Sequence, residues 1–290
     1  MPKLDILDTF PAFETFWEKS RNLPISEQID LWEKEYLGAW PELLAKQKEC
    51  YAQDGLDWRA VARTRVFPHI EKRLTRMRAL HADLLRTLPG SWTRTKQFLH
   101  IRFPVRFVVY VGAGCGAGWA TTYGGQSACL FGLENAAQSH DGRDGWSRRV
   151  VAHEVAHLAH QAWRKERWEE LDDPWWKVYE EGFATYCERR IEPRAFPLLT
   201  GRRDWLLWCD KHRAWLAKKF LRDIGARRSV RPFFGSWYNI RGYVETGYYL
   251  GSEVIREWAR TLALQEIARI PESEIRERVR TILRRFAEGA

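Results

Sequence analysis

Val150-Val151-Ala152-His153-Glu154-Val155-Ala156-His157-Leu158-Ala159 is the stretch on which the reading of this 290-residue chain turns. On a helix, positions i and i+4 share one face, so the imidazoles of His153 and His157 can reach a single metal ion. Glu154 follows the first histidine, where a carboxylate can take a proton from a water at that ion. The apolar neighbours predict a buried helix whose charged residues gather at the site. The plain alternative is a pair of core histidines with a glutamate between them by chance. Eight histidines in the chain make that coincidence rare.

A zinc site of this kind needs a third protein ligand. Trp163 stands ten positions after His153, where another histidine could have served. His160, a turn past His157, reads as a residue beside the site or facing substrate, and equally as a packed histidine. Asp172-Asp173-Pro174 marks a new helix start, with Asp173 as N-cap and Pro174 at the first helical position. Two turns in, that helix presents Glu180 and Glu181. Its return beside the first helix would deliver a carboxylate to the ion. Gly182 and Ala184 are small enough for close helix approach; a mid-helix glycine costs about 1 kcal/mol and asks for a packing reason.

His153-Glu-x-x-His157 followed by Glu181-Gly182-Phe183-Ala184 resembles the gluzincin zinc metallopeptidases. The wording Glu181-Gly-Phe-Ala-x-Tyr-x-Glu188 is especially similar to the aminopeptidases related to leukotriene A4 hydrolase. The short chain also resembles a bacterial family named as zinc proteases, of otherwise unknown function. The resemblance implies a zincin-like domain and one Zn2+ held by His153, His157 and Glu181, which favours Glu181 over Glu180. It implies Glu154 as the general base. The stretch between His157 and Glu181 is longer than usual for that family, which implies an insertion near Lys165 to Leu171.

Two looser matches extend the resemblance over Gly132 to Gly251. Thr246-Gly247-Tyr248-Tyr249-Leu250-Gly251 is similar to the Tyr-x-x-Gly of those enzymes, which implies Tyr248, with Tyr249 as fallback, as hydroxyl donor to the oxyanion. The alternative is an aromatic core pair at a helix start. Gly132-Leu133-Glu134-Asn135 partly resembles their Gly-x-Met-Glu-Asn segment. That implies substrate binding by Glu134 and Asn135, with Glu134 on the substrate amine. The preceding strand would border the cleft and pair with an extended peptide.

Outward from these motifs the expected fold class is α+β, mostly helical with a small mixed sheet. Residues 1–95 read as a helical region packed on a catalytic domain, 96–290. Ser26-Glu27-Gln28 after Pro24 starts a helix with the stripe Ile29, Leu31, Trp32, Tyr36, Trp40. A second stripe, Ile70, Leu74, Met77, Leu80, Leu84, steps by three and four, and Leu88-Pro89-Gly90 is expected to end it. The sheet falls in 96–135, from Phe98 to Val111 and then Gly112 to Asn135, with Ala128 to Leu133 its clearest strand. Active-site helices fill 146–190 and closing helices 191–290, with stripes at Ile255, Trp258, Leu262, Leu264 and at Ile275, Val279, Ile282, Leu283.

Gly112-Ala113-Gly114-Cys115-Gly116-Ala117-Gly118 after Val109-Tyr110-Val111, with Glu134 further on, nearly spells a dinucleotide fingerprint. Those glycines should open a helix, yet Trp119 to Gly125 reads as strand and turn. A flexible strand connection is the expected reading.

Composition sets the outer bounds. With 45% hydrophobic and 29% charged residues, disorder, collagen and disulfide scaffolds are excluded. No apolar run approaches the ~18 residues of a membrane span, and Met1-Pro2-Lys3-Leu4-Asp5 opens no secretory signal. The five cysteines form no Cys-x-x-Cys pair, so reduced thiols in a cytoplasmic protein are expected. The net charge of +9 admits a nucleic-acid binder using the 16 tryptophans for stacking. That class is set aside, because the tryptophans follow helix stripes and the basic residues interleave with acids. The expected function is a zinc-dependent metallopeptidase acting on peptide or protein, aminopeptidase or endopeptidase being open. The alternative is a catalytically silent zinc-containing peptide-binding protein.

Overall fold

The computed structural model describes residues 4–53, 55–164, 173–193, 204–235 and 238–289. The expected insertion near Lys165 to Leu171 lies outside the described residues. Among the described residues there are four strands, β1 (Asp5–Asp8), β2 (Arg106–Tyr110), β3 (Gly118–Tyr123) and β4 (Gln126–Gly132). The helices are α1 (Phe10–Ser20), α2 (Ile25–Leu31), α3 (Pro41–Gln53), α4 (Trp58–Val61), α5 (Phe67–Phe98), α6 (Leu133–Ala136) and α7 (Trp146–Arg164). They continue as α8 (Pro174–Ile191), α9 (Trp205–Lys211), α10 (Arg213–Gly225), α11 (Thr246–Trp258), α12 (Leu264–Ala268) and α13 (Glu272–Glu288). The class is α+β: mostly helical, with one mixed sheet.

Two compact units make up the chain. The first is Met1–Gly90 with Arg102–Ser147, the second Ser91–Ile101 with Arg148–Ala290. The sheet thus groups with the N-terminal helices, and the break expected at residue 95 falls inside α5. Pro89 does not end that helix. A buried stripe runs on through Leu84, Leu88, Ser91, Thr95 and Leu99, and packing of that stripe outweighs the hydrogen bond that proline forfeits.

In the first unit the sheet order is β1-β2-β4-β3. β1, β2 and β4 are parallel, and β3 runs antiparallel to β4. β1 lies in the region read as helical. Asp5-Ile6-Leu7-Asp8 is too short to show a period, and its pairing with β2 makes it a strand. β4 is paired on both sides, so its backbone is not open to an extended peptide, contrary to expectation; β1 and β3 are the edges. Strands β2 and β4 contribute Phe107, Val108, Val109, Leu130 and Phe131 to the core, as near-continuous apolar runs do when both faces are covered.

The glycine-rich segment after β2 is a loop leading into β3, and side chains satisfy its backbone group by group. Tyr36 Oη accepts from Val111 N at 3.0 Å, and Trp32 Nε1 donates to Val111 O at 3.1 Å. The Glu134 carboxylate accepts from Gly112 N at 2.7 Å and Gly114 N at 2.9 Å. Gln47 Oε1 accepts from Ala113 N, Tyr51 Oη donates to Ala113 O, and Asn135 Nδ2 donates to Gly114 O. A Cβ on Gly112 would lie 2.3 Å from Gln47 Oε1, which accounts for glycine there. The anion cradled by this loop is therefore the chain's own glutamate, and buried backbone groups find partners as they must.

In the second unit α8 and α11 cross with their backbones touching. A Cβ on Gly182 would lie 2.3 Å from the Gly251 carbonyl carbon, and one on Gly251 would lie 2.0 Å from the Val178 carbonyl oxygen. The close approach expected of Gly182 is thus made to α11. Asp173 caps α8 as read from sequence, accepting from Trp175 N at 2.8 Å, with Pro174 in the first turn. Helix α13 buries Ile275, Val279, Ile282, Leu283 and Phe286 on one face. The stripe expected to run from Ile255 to Leu264 is interrupted: α11 stops at Trp258 and α12 starts at Leu264.

Candidate metal centre

His153 and His157 lie one turn apart on α7, which is buried at Val150, Val151, Ala152, Val155, Ala156 and Ala159. Glu181 reaches the same place from α8. The two imidazole Nε2 atoms stand 3.2 Å apart, and each lies 3.4 Å from Glu181 Oε2. Three donor atoms thus form a nearly equilateral triangle, and the three residues are a group that could hold a metal ion. Ligands at ~2.0–2.1 Å in a tetrahedron lie about 3.3–3.4 Å from one another, so the triangle fits three of its four corners. Two buried Nε2 atoms this close can share at most one proton, whereas one cation satisfies both lone pairs. Glu181 keeps 16% of its side-chain surface and Tyr248 is partly exposed, so the group is open on their side.

Charge shapes the group strongly. Burial works against the ionised Glu181, but the two histidines overcome it and hold its carboxyl below the usual carboxylate range. Burial likewise opposes protonation of His153 and His157, and the surrounding carboxylates reverse this, raising both. Glu154, buried beside them, is pushed up by burial and by Glu181 and Glu188, while the histidines pull it down. Its net shift is upward, toward the neutral range where a proton carrier works best.

The Tyr248 ring stacks on His153 with centroids 6.0 Å apart and the planes inclined by 26°. Burial, then the negative charges of Glu181 and Glu245, raise its hydroxyl well above the ordinary phenol value, so it stays a proton donor. Tyr249 points elsewhere: its hydroxyl donates to Asp210 Oδ1 at 2.7 Å and its ring packs edge-on to Trp205. Of the two tyrosines left open by the sequence, Tyr248 faces the metal group. Glu180, the residue before Glu181 on α8, is partly buried and is not a member of the triangle.

His160 is a packed residue. It lies between Tyr179 and Phe183, with Nε2 2.8 Å from the Tyr179 hydroxyl. That hydroxyl donates to Ile267 O, so it accepts from His160, whose proton sits on Nε2. Glu134 and Asn135 belong to the first unit. There Glu134 is fully buried and holds the glycine loop.

Sequence reasoning passed over two residues at the group. Glu188 presents Oε2 3.4 Å from His153 Nδ1, the nitrogen away from the triangle. Its place seven residues after Glu181 puts it on the same helix face, and that spacing could have revealed it. Glu245, just before α11, is buried in a left-handed backbone conformation, φ 54°. Nothing in its sequence context signals this. Comparison with known protein families, curated proteins and solved structures finds no match to this chain. No described helix is long and apolar enough to cross a membrane.

Proposed function

We propose that the protein is a zinc-dependent metallopeptidase of the gluzincin kind. The observation that carries this reading is the triangle of His153 Nε2, His157 Nε2 and Glu181 Oε2 with Glu154 beside it on α7. Two imidazoles and a carboxylate suit Zn2+, which would supply Lewis acidity and an acidic water at neutral pH when bound there. His153, His157 and Glu181 would hold it. Glu188, whose Oε2 lies 3.4 Å from His153 Nδ1, is placed to favour a proton on that nitrogen and so leave Nε2 as the free lone pair.

Glu154 then acts as general base and acid. Its raised pKa lets it accept a proton from the attacking water and return it to the leaving amine. Tyr248 donates its hydroxyl to the oxygen of the scissile carbonyl as charge develops there, without adding a charge of its own. Loss of Glu154 removes the proton carrier and spares the ligands.

Mass-spectrometric cleavage profiling of a mixed peptide pool, half with free and half with acetylated N-termini, tests this reading against Glu154→Gln. Cleavage by the wild type alone supports it. Stepwise trimming of free peptides only makes the enzyme an aminopeptidase, and internal cuts in both halves make it an endopeptidase. Equal turnover by Glu154→Gln, or none by the zinc-loaded wild type, overturns it.

A further inference from the structure

We propose that Cys50 and Cys115 form a redox-active thiol pair, which a low-molecular-weight disulfide such as oxidised glutathione converts reversibly into a bridge that locks the glycine-rich loop onto α3. Of the five cysteines, Cys129, Cys187 and Cys209 are buried, while Cys50 and Cys115 are half-buried and within reach of solvent. These two meet although they stand 65 residues apart. Cys50 Sγ lies 3.9 Å from the Cys115 carbonyl oxygen. Cys115 Sγ lies 3.3 Å from the carbonyl oxygen of Gln47, one turn before Cys50 on α3. Each sulfur thus rests against the stretch of backbone that carries the other.

Helix and loop are clamped on either side of this contact. Gln47 Oε1 accepts from Ala113 N at 3.1 Å, and Tyr51 Oη donates to Ala113 O at 2.7 Å. Gly114 takes φ 96°, so the chain turns at the residue before Cys115. The Glu134 carboxylate holds Gly112 N and Gly114 N in turn. Helix α3 therefore grips the loop through Gln47, Cys50 and Tyr51. The sulfur contacts are the weakest part of that grip, because a thiol is a poor donor. A bond between the two sulfurs would replace them where the backbones are already held together.

The neighbouring sulfur also sets the order of events. The Cys50 side chain, then burial, then the charge of Glu134 hold the Cys115 thiol well above the usual thiol range. Like charges this close do not form together, so Cys115 is still protonated when Cys50 reacts. The Cys50 thiolate attacks one sulfur of oxidised glutathione, breaks its S–S bond and releases the first glutathione, which takes up the proton that Cys50 gave up. Capped in the mixed disulfide, Cys50 no longer opposes ionisation of Cys115. Cys115 then attacks the Cys50 sulfur, and its proton leaves with the second glutathione. The two cysteines are oxidised to one disulfide, and oxidised glutathione is reduced to two thiols.

The test exposes the reduced full chain to glutathione buffers of rising oxidised-to-reduced ratio. Remaining thiols are alkylated, the protein is digested without reductant, and the peptides are read by mass spectrometry. The expected product is a monomeric chain whose Cys50 and Cys115 peptides are linked, two hydrogens lighter than their sum, and separated again by dithiothreitol. The urea midpoint of the oxidised wild type should rise above that of the reduced one, because a bridge across so long a segment restricts the unfolded chain. Cys50→Ser and Cys115→Ser should each lose both the linked pair and the shift. Oxidised and reduced wild type are the same sequence, so that comparison stands even where a variant folds poorly. Glutathione adducts without the linked pair, links to Cys129, Cys187 or Cys209 or between two chains, or a linked pair that fails to raise the midpoint would each overturn the inference.

Discussion

The backbones of Gly182 and Gly251 meet where α8 crosses α11: a Cβ on Gly182 would come within 2.5 Å of the Gly251 α-carbon. Glu181, the carboxylate of the metal group, immediately precedes one glycine, and Tyr248 lies one turn before the other. The crossing therefore sets the positions of both. Gly251→Ala must push a methyl into the Val178 carbonyl oxygen, a backbone atom that cannot rotate away. Overpacking of this kind costs about 1–3 kcal/mol or more. The expected outcome is a lower urea midpoint together with weaker zinc binding, read by unfolding curves and metal titration. A Gly251→Ala protein with unchanged stability would mean that α11 shifts freely along α8.

Removing a member of the triangle should separate metal loss from chemistry. His153→Ala, His157→Ala and Glu181→Ala are each expected to lose bound zinc, while Glu154→Gln keeps it. Metal content after dialysis, measured by atomic emission, distinguishes the two groups. Zinc should also raise the unfolding temperature of the wild type, and a chelator should reverse the rise. Full retention of zinc by Glu181→Ala would transfer the third ligand to another carboxylate, Glu180 being the nearest in sequence.

Glu188 acts through His153. Its Oε2 lies 3.4 Å from His153 Nδ1, and its negative charge there favours a proton on the nitrogen away from the triangle. Glu188→Gln should lower zinc affinity by roughly 10–100-fold without changing the number of sites. Competition with a metal indicator dye measures this directly. An unchanged affinity would reduce the contact to a packing neighbour.

In the first unit Glu134 accepts two backbone hydrogen bonds that a glutamine oxygen cannot both replace in kind. Glu134→Gln leaves a buried N–H facing an amide nitrogen, at a cost of about 1–3 kcal/mol. The expected result is loss of stability in urea unfolding with zinc content intact. A stable Glu134→Gln protein whose KM rises only for peptides with free N-termini would restore Glu134 as the amine anchor implied by the sequence resemblance.

How far the sequence was legible follows from where the signals lie. The metal group was readable because helical spacing put His153 and His157 on one face and a capped helix start offered Glu180 and Glu181 two turns in, the family resemblance choosing Glu181. Those are local rules, and they held. What failed was non-local. Pro89 looks like a stop until the buried stripe beyond it is seen to continue through Leu99. Asp5–Asp8 becomes a strand only through pairing with β2, a hundred residues away. Glu134 looks like a strand-end acid, and only the fold brings the glycine loop onto its carboxylate. Glu245 depends on a backbone angle that no residue pattern announces.

His160 provides a pH signature distinct from the metal ligands. Burial disfavours its imidazolium, with the charges of Arg164 and His157 adding to the effect, so its folded pKa lies well below 6.5. The unfolded chain takes up a proton at this residue as pH falls through about 6.5, and the folded chain does not. The contribution of His160 to stability is therefore complete above that pH and is lost progressively below it, toward the folded pKa. Over that window one proton of difference gives a slope of about 1.4 kcal/mol per pH unit. His160→Gln keeps an N–H for the Tyr179 hydroxyl and cannot titrate. Urea unfolding of both proteins from pH 7.5 downward, all on metal-free samples, should show the wild type losing stability more steeply below about 6.5. Parallel curves would mean that His160 takes up its proton equally in both states, which burial between Tyr179 and Phe183 forbids.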